Sequence, residues 1–229
     1  MYCEKKYLHI NLSGCMFRLQ INNVKFSPDN IYHIYNQGNN HQVLFRNDED
    51  YLIFLRMIRK YIYSNTEIIA WCLMPDHFHL LVYTDERSCI LKKQGGLEIE
   101  SLTNGIRKLL SGYARIYNKR YRRSGSLFRQ KTKAKNASES DWVIKQKLSL
   151  EDYCSNCFSY IHENPVVAGL VKGAADWPYS SYVDYTGGRN GTLCNKALAS
   201  KYCGYDERNF INLKRRTDES FLDEFNADE

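Results

Sequence analysis

Met74-Pro75-Asp76-His77-Phe78-His79-Leu80-Leu81-Val82-Tyr83 is the stretch that decides the reading of this chain. Two histidines flank one bulky apolar residue, and apolar β-formers follow. On a strand, residues i and i+2 point to the same face. His77 and His79 are therefore expected to project together, with Phe78 packed on the other side. Two neutral imidazoles side by side are a natural pair of ligands for a divalent metal. Alternation alone would equally suit a half-buried strand with both histidines on a polar face. The Pro75-Asp76 lead-in and the aliphatic continuation favour the metal reading.

On either side of this run, the pattern alternates between strand and helix periods. Ile31 to Tyr35 reads as a strand, ended by the turn signal Asn36-Gln37-Gly38-Asn39-Asn40. Asp48 to Tyr63 has an apolar face at helical spacing, with Asn47 or Asp48 as its cap. Glu67 to Leu73 and His77 to Tyr83 are strands, broken apart at Met74-Pro75-Asp76. Asp85 to Gly96 reads as a polar loop, and Leu97 to about Tyr121 as a long amphipathic helix. Leu127 to Lys135 is a strand or extended arm, and Asn136 to Asp141 a linker. Leu148 to Asn164 is a helix stopped by Pro165, because the residue before proline disfavours the helical region. This order predicts an α+β sandwich, an antiparallel sheet with helices on one face.

The chain has 229 residues and a formal net charge of +6, but the distribution of charge says more than the total. Gly105 to Lys135 contains no acidic residue. It carries Arg107, Lys108, Arg115, Lys119, Arg120, Arg122, Arg123, Arg129, Lys131, Lys133 and Lys135, interleaved with Tyr113, Tyr117, Tyr121 and Phe128. A long cationic run with aromatic residues suits a polyanion whose bases can stack, so nucleic acid is the expected partner. The eight cysteines are scattered, and no signal-peptide pattern or membrane-length apolar run is present. Reduced thiols and a cytoplasmic location are expected, with Cys154-Ser-Asn-Cys157 incidental.

Two histidines do not fill a metal shell. The last long helix offers Tyr160 and Asn164, four apart and so on one helical face. An amide oxygen can reach a metal, and a phenol oxygen is a competent nucleophile once deprotonated. With 18 tyrosines in the chain, spacing alone does not single out Tyr160.

Several motifs in order do. Tyr32-His33-Ile34-Tyr35-Asn36-Gln37-Gly38-Asn39-Asn40, Asp48-Glu49-Asp50-Tyr51 and Met74 to Leu81 are followed by Tyr121 to Arg129, Tyr160-Ile161-His162-Glu163-Asn164-Pro165-Val166 and Trp177-Pro178-Tyr179-Ser180-Ser181-Tyr182. The set resembles the REP-associated tyrosine transposases, single-tyrosine members of the HUH endonuclease superfamily. The resemblance covers roughly Ile31 to Tyr185. It implies a ferredoxin-like (RRM-like) sheet with the histidines on a central strand. It implies metal ligation by His77, His79 and Asn164, and a nucleophile at Tyr160. Residues 1–29 are then an N-terminal extension, 30–185 the catalytic domain and 186–229 a C-terminal extension.

The activity implied is transesterification of single-stranded or hairpin DNA with Mg²⁺ or Mn²⁺, through a 5′-phosphotyrosine. Arg107, Lys108, Arg115, Lys119, Arg120, Arg122, Arg123, Arg129 and Lys131 are the expected backbone track. Two other readings use the same residues. One is a non-cleaving DNA- or RNA-binding regulator with an RRM-like sheet. The other is a metal phosphodiesterase that uses water instead of Tyr160. A monomer and a homodimer are both open.

Overall fold

Apolar side chains on both faces of the central strands decide the layering. In the computed structural model, which describes residues 20–21, 25–139, 149–208 and 210, four strands form the working sheet. They are β2 (Asn30–Gln37), β3 (Glu67–Leu73), β4 (His77–Thr84) and β7 (Lys131–Asn136). With β1 (Gln20–Ile21) at one edge, the order is β1-β7-β2-β4-β3. β1 runs parallel to β7, and the other pairings are antiparallel. Helix α1 (Asp48–Tyr61) lies between β2 and β3 in sequence, and α3 (Ser101–Arg120) leads towards β7. This is the ferredoxin-like β-α-β-β-α-β order.

Helices cover both faces, not one as the element order suggested. Tyr32, Ile34, Phe78, Leu80 and Val82 pack with Phe54 and Ile58 of α1 and with Leu102, Ile106 and Leu109 of α3. On the opposite face, Ile31, Tyr35, Ile69 and Leu81 pack with Tyr153, Phe158 and Ile161 of α4 (Leu150–Val167). The consecutive apolar run Leu80-Leu81-Val82 is fully buried because each side chain has a core of its own. Short helices α5 (Tyr182–Tyr185) and α6 (Lys196–Cys203) close the second core through Tyr185, Ala199 and Cys203. The first part of the expected C-terminal extension is thus packed against α4. Most of the expected N-terminal extension, residues 140–148 and the acidic tail lie outside the described residues.

Several element boundaries differ from expectation. Leu97–Glu100 is strand β6, not helix, and pairs with β5 (Leu91–Gln94) across Gly95 and Gly96; α2 (Glu86–Cys89) precedes β5. Both glycines have positive φ (58° and 83°), the conformation that a two-residue hairpin turn needs. α4 runs through Pro165 to Val167. Proline falls in the final turn, so its missing N–H removes one hydrogen bond, and Ala168 N still donates to Asn164 O at 2.9 Å. The start of α4 is fixed by Ser149, whose Oγ accepts from Asp152 N at 3.1 Å while Asp152 Oδ2 accepts from Ser149 N. Asn47 caps α1, accepting from Asp50 N at 3.2 Å, and α1 ends at Tyr61. Among the described residues, no helix is long and apolar enough to cross a membrane.

Gly105 shows how closely α1 and α3 approach. A Cβ there would lie 2.2 Å from the Tyr61 carbonyl oxygen. Alanine is favoured over glycine in a helix interior by about 1 kcal/mol. Gly105→Ala is nevertheless expected to destabilise the protein by about 1–3 kcal/mol through overpacking. Urea unfolding measures the sign, and a raised midpoint would contradict this packing.

Candidate active site

The site is built by register. β2 and β4 pair so that Tyr35 opposes His79 and Gln37 opposes His77, while Lys133 of β7 opposes Tyr35. All these side chains leave the sheet on the α4 side. The His77 and His79 rings are 5.0 Å apart between centroids.

Each ring is held by its second nitrogen. His77 Nδ1 donates to Asp76 Oδ1 at 2.7 Å. That bond holds the Asp76 carboxyl below the usual carboxylate range. It also leaves the His77 lone pair on Nε2, the arrangement that carboxylate partners impose on metal-binding histidines. His77 Nε2 is buried and has no hydrogen-bond partner. His79 Nδ1 lies 3.0 Å from His33 Nε2, and His79 Nε2 lies 3.2 Å from Asn164 Nδ2. Burial pushes His79 well below the ordinary histidine range and His33 down to about 3. Both rings are therefore neutral, as ligation requires.

These residues fit a divalent cation. Among the described residues, no cluster of three or more His, Cys, Asp or Glu side chains is placed to hold a metal. A cation here would take the two imidazoles and complete its shell with amides, phosphate oxygens and water. The buried, unpartnered His77 Nε2 suits that donor set, and turning the Asn164 amide, whose Nδ2 faces the lone pair of His79 Nε2, would present Oδ1 to the same cation.

α4 brings Tyr160 to the same place. Its ring centroid is 5.4 Å from that of His79 and 6.3 Å from that of His33, with both pairs edge-on at 82° and 80°. Tyr160, Asn164, His77 and His79 are thus gathered within one chain. His162, two residues on, points away into the second core. Its Nε2 lies 2.7 Å from Ser181 Oγ, and burial pushes it to about 3. Cys154 and Cys157 are packed in that core beside Cys203, whose thiol is pushed up by burial and by its bond to Cys154.

The basic run divides between the two faces. Arg129, Lys131 and Lys133 line a small cavity with Tyr35, Gln37, His77 and His79. Arg107, Lys108, Arg115, Lys119 and Arg120 belong to α3, on the other face of the sheet. Several of the cations remote from the cavity have local partners. Arg107 donates to Asn104 Oδ1, Arg120 pairs with Glu49, and Arg123 donates to Asn118 Oδ1 and Ser126 O. Arg122 is exposed in the turn after α3.

Sequence reasoning missed His33 and Gln37 as site residues; Lys133 stood in the cationic run expected to meet nucleic acid. For His33 and Gln37, a signal was available: they share the two-residue period of Tyr35 on β2.

The fold and site together define an α+β protein with a histidine pair on a central strand beside two buried tyrosines, Tyr35 and Tyr160. No known family model matches the chain. A curated Haemophilus influenzae protein named as a REP-associated tyrosine transposase is 31% identical over 119 residues. That match covers 51% of this chain and 58% of the relative's length. A solved structure of a REP-associated tyrosine transposase bound to a REP hairpin is also similar, with TM-score 0.47 and 14% identity over 74% of this chain and 90% of that one.

The buried rings set a pH dependence. In the unfolded chain, each histidine takes up a proton near pH 6.5. The folded rings of His33 and His162 stay neutral down to about 3, and His79 is shifted in the same direction. Unfolding therefore binds protons between those values, and stability falls as pH drops through 6.5. Each ring contributes about 1.4 kcal/mol per pH unit in that window. The urea midpoint of metal-free protein is expected to fall between pH 7 and pH 4.5. A flat midpoint would contradict the burial of these rings.

Proposed function

We propose that this chain is a metal-dependent transesterase of single-stranded DNA that nicks and rejoins at hairpin repeats. The observation that carries the proposal is the convergence of Tyr160, Asn164 and the two β4 histidines in one chain. The curated relative's name supports the transposase side of the reading.

Tyr160 Oη is the nucleophile. It forms a bond to phosphorus of the scissile phosphodiester while the bond from phosphorus to the 3′ oxygen breaks. The phenol loses one proton and the departing 3′ oxygen gains one, leaving a 5′-phosphotyrosine and a free 3′-OH. The phosphodiester is exchanged, not hydrolysed, so a second 3′-OH can attack the same phosphorus and restore a continuous strand. His77, His79 and Asn164 would hold Mg²⁺ or Mn²⁺, which offsets charge on the phosphate and eases loss of the phenol proton. Neutral ligands leave the cation its full charge, whereas carboxylates would offset it. Asp76 and His33 act through the imidazoles, fixing which nitrogen of each ring faces the reacting centre. Arg129, Lys131 and Lys133 track the phosphates next to the scissile one. One chain contains the whole set, so we propose that a monomer is competent.

The test is incubation of a single-stranded hairpin DNA with Mn²⁺, followed by denaturing electrophoresis. A covalent protein–DNA band is expected from the native protein and none from Tyr160→Phe, which should still shift the DNA in a native gel. Cleavage that survives Tyr160→Phe would favour water as nucleophile. A native shift with no covalent band would favour a non-cleaving binder.

The split of the basic run gives a second expectation. Each lost phosphate contact lowers the salt slope for single strands by about 0.7. Arg129→Ala with Lys131→Ala should weaken binding and reduce the slope by about 1.4. Arg107→Ala with Lys108→Ala should leave the slope unchanged. The reverse result would move the track to α3.

A further inference from the structure

We propose that Gln37 supplies a further oxygen ligand to the cation held by His77 and His79, an inference that rests on the metal site proposed above. Gln37 is the last residue of β2 and the register partner of His77. The two side chains leave the sheet on the same face, and both line the small cavity that also contains His79.

The amide of Gln37 has a determined orientation. Its Nε2 lies 3.3 Å from Asp76 Oδ2 and 3.0 Å from His41 Nδ1. An ionised carboxylate only accepts, so the group facing Asp76 is the NH₂ and the carbonyl oxygen turns away from it. That oxygen, Oε1, is buried and has no hydrogen-bond partner. The Arg129 guanidinium, which lines the same cavity, reaches His41 Nε2 at 3.4 Å, not this oxygen.

Two buried acceptors therefore stand at paired positions, Gln37 Oε1 and His77 Nε2, each without a donor. Leaving a buried acceptor unmade costs about 1–3 kcal/mol. A single cation would satisfy both at once. The chemistry of the cation agrees. Mg²⁺ and Mn²⁺ favour oxygen donors, and two imidazoles with one amide are a nitrogen-rich set for them. A second amide oxygen balances it without adding negative charge.

The experiment uses the full chain and Mn²⁺ alone. Affinity is read by electron paramagnetic resonance, and bound water by the broadening from ¹⁷O-labelled water. The native protein is expected to bind Mn²⁺. Gln37→Leu should bind about tenfold more weakly and gain one water on the metal. Gln37→Glu should bind more tightly with the native water count. A role only in holding Asp76 predicts the opposite sign for Gln37→Glu, because a carboxylate facing Asp76 would repel it. Unchanged affinity and water count in Gln37→Leu, or weaker binding by Gln37→Glu, would overturn the inference alone. Failure of the native protein to bind Mn²⁺ would overturn the metal site itself.

Discussion

The antiparallel pairing of β2 with β4 is the constraint on which the site depends. Its register sets Tyr35 against His79 and Gln37 against His77, and places His33 within reach of the His79 ring. Side chains alternate with a period of two, so a slip of one residue would turn His77 and His79 into the α1–α3 core. It would also bring Phe78 out of that core, where it is fully buried among aromatic neighbours. The hydrophobic demand of Phe78, Leu80 and Val82 therefore fixes the polar face. Fold stability and site geometry are the same interaction seen from two sides of one strand.

α4 completes the arrangement by burying what the register exposes. It covers the histidine face with Phe158, Ile161 and Tyr160, and it brings Asn164 to His79. Burial keeps His33 and His79 neutral at a pH where exposed imidazoles begin to protonate. A buried polar group needs a partner, and most of the site finds one within the protein. Asp76 holds His77, and His33 meets His79. Nε2 of His77 and Oε1 of Gln37 are buried without a partner, and both residues line one small cavity with Arg129, Lys131 and Lys133. That pattern suits the metal and phosphate of the function proposed above.

Much of this was legible in the sequence. The alternation around Phe78 gave β4, and the helical period of Tyr51, Leu55 and Ile58 gave α1. Tyr160 and Asn164 could be paired by spacing, but only their motif setting separated Tyr160 from 17 other tyrosines (18 in all). The two-sided burial of the sheet was written in Leu80-Leu81-Val82, a run with no polar break, yet element order alone suggested one covered face. Leu97-Glu98-Ile99-Glu100 alternates with a period of two, and its position before an amphipathic helix concealed the strand. His33 and Gln37 share the period of Tyr35 on β2, but it is pairing with β4, across forty or more residues of chain, that places them at the site. The basic run was continuous in sequence but divides in space, because α3 and β7 present their charges on different faces of the sheet.

The most direct measurement is to trap the covalent adduct between the native protein and a cleavable hairpin oligonucleotide, digest it, and locate the modified residue by mass spectrometry. The account requires the nucleotide on the peptide containing Tyr160, with a phosphate linking the phenol oxygen to a 5′ end. A nucleotide carried by any other residue, or strand cleavage with no adduct at all, would contradict it.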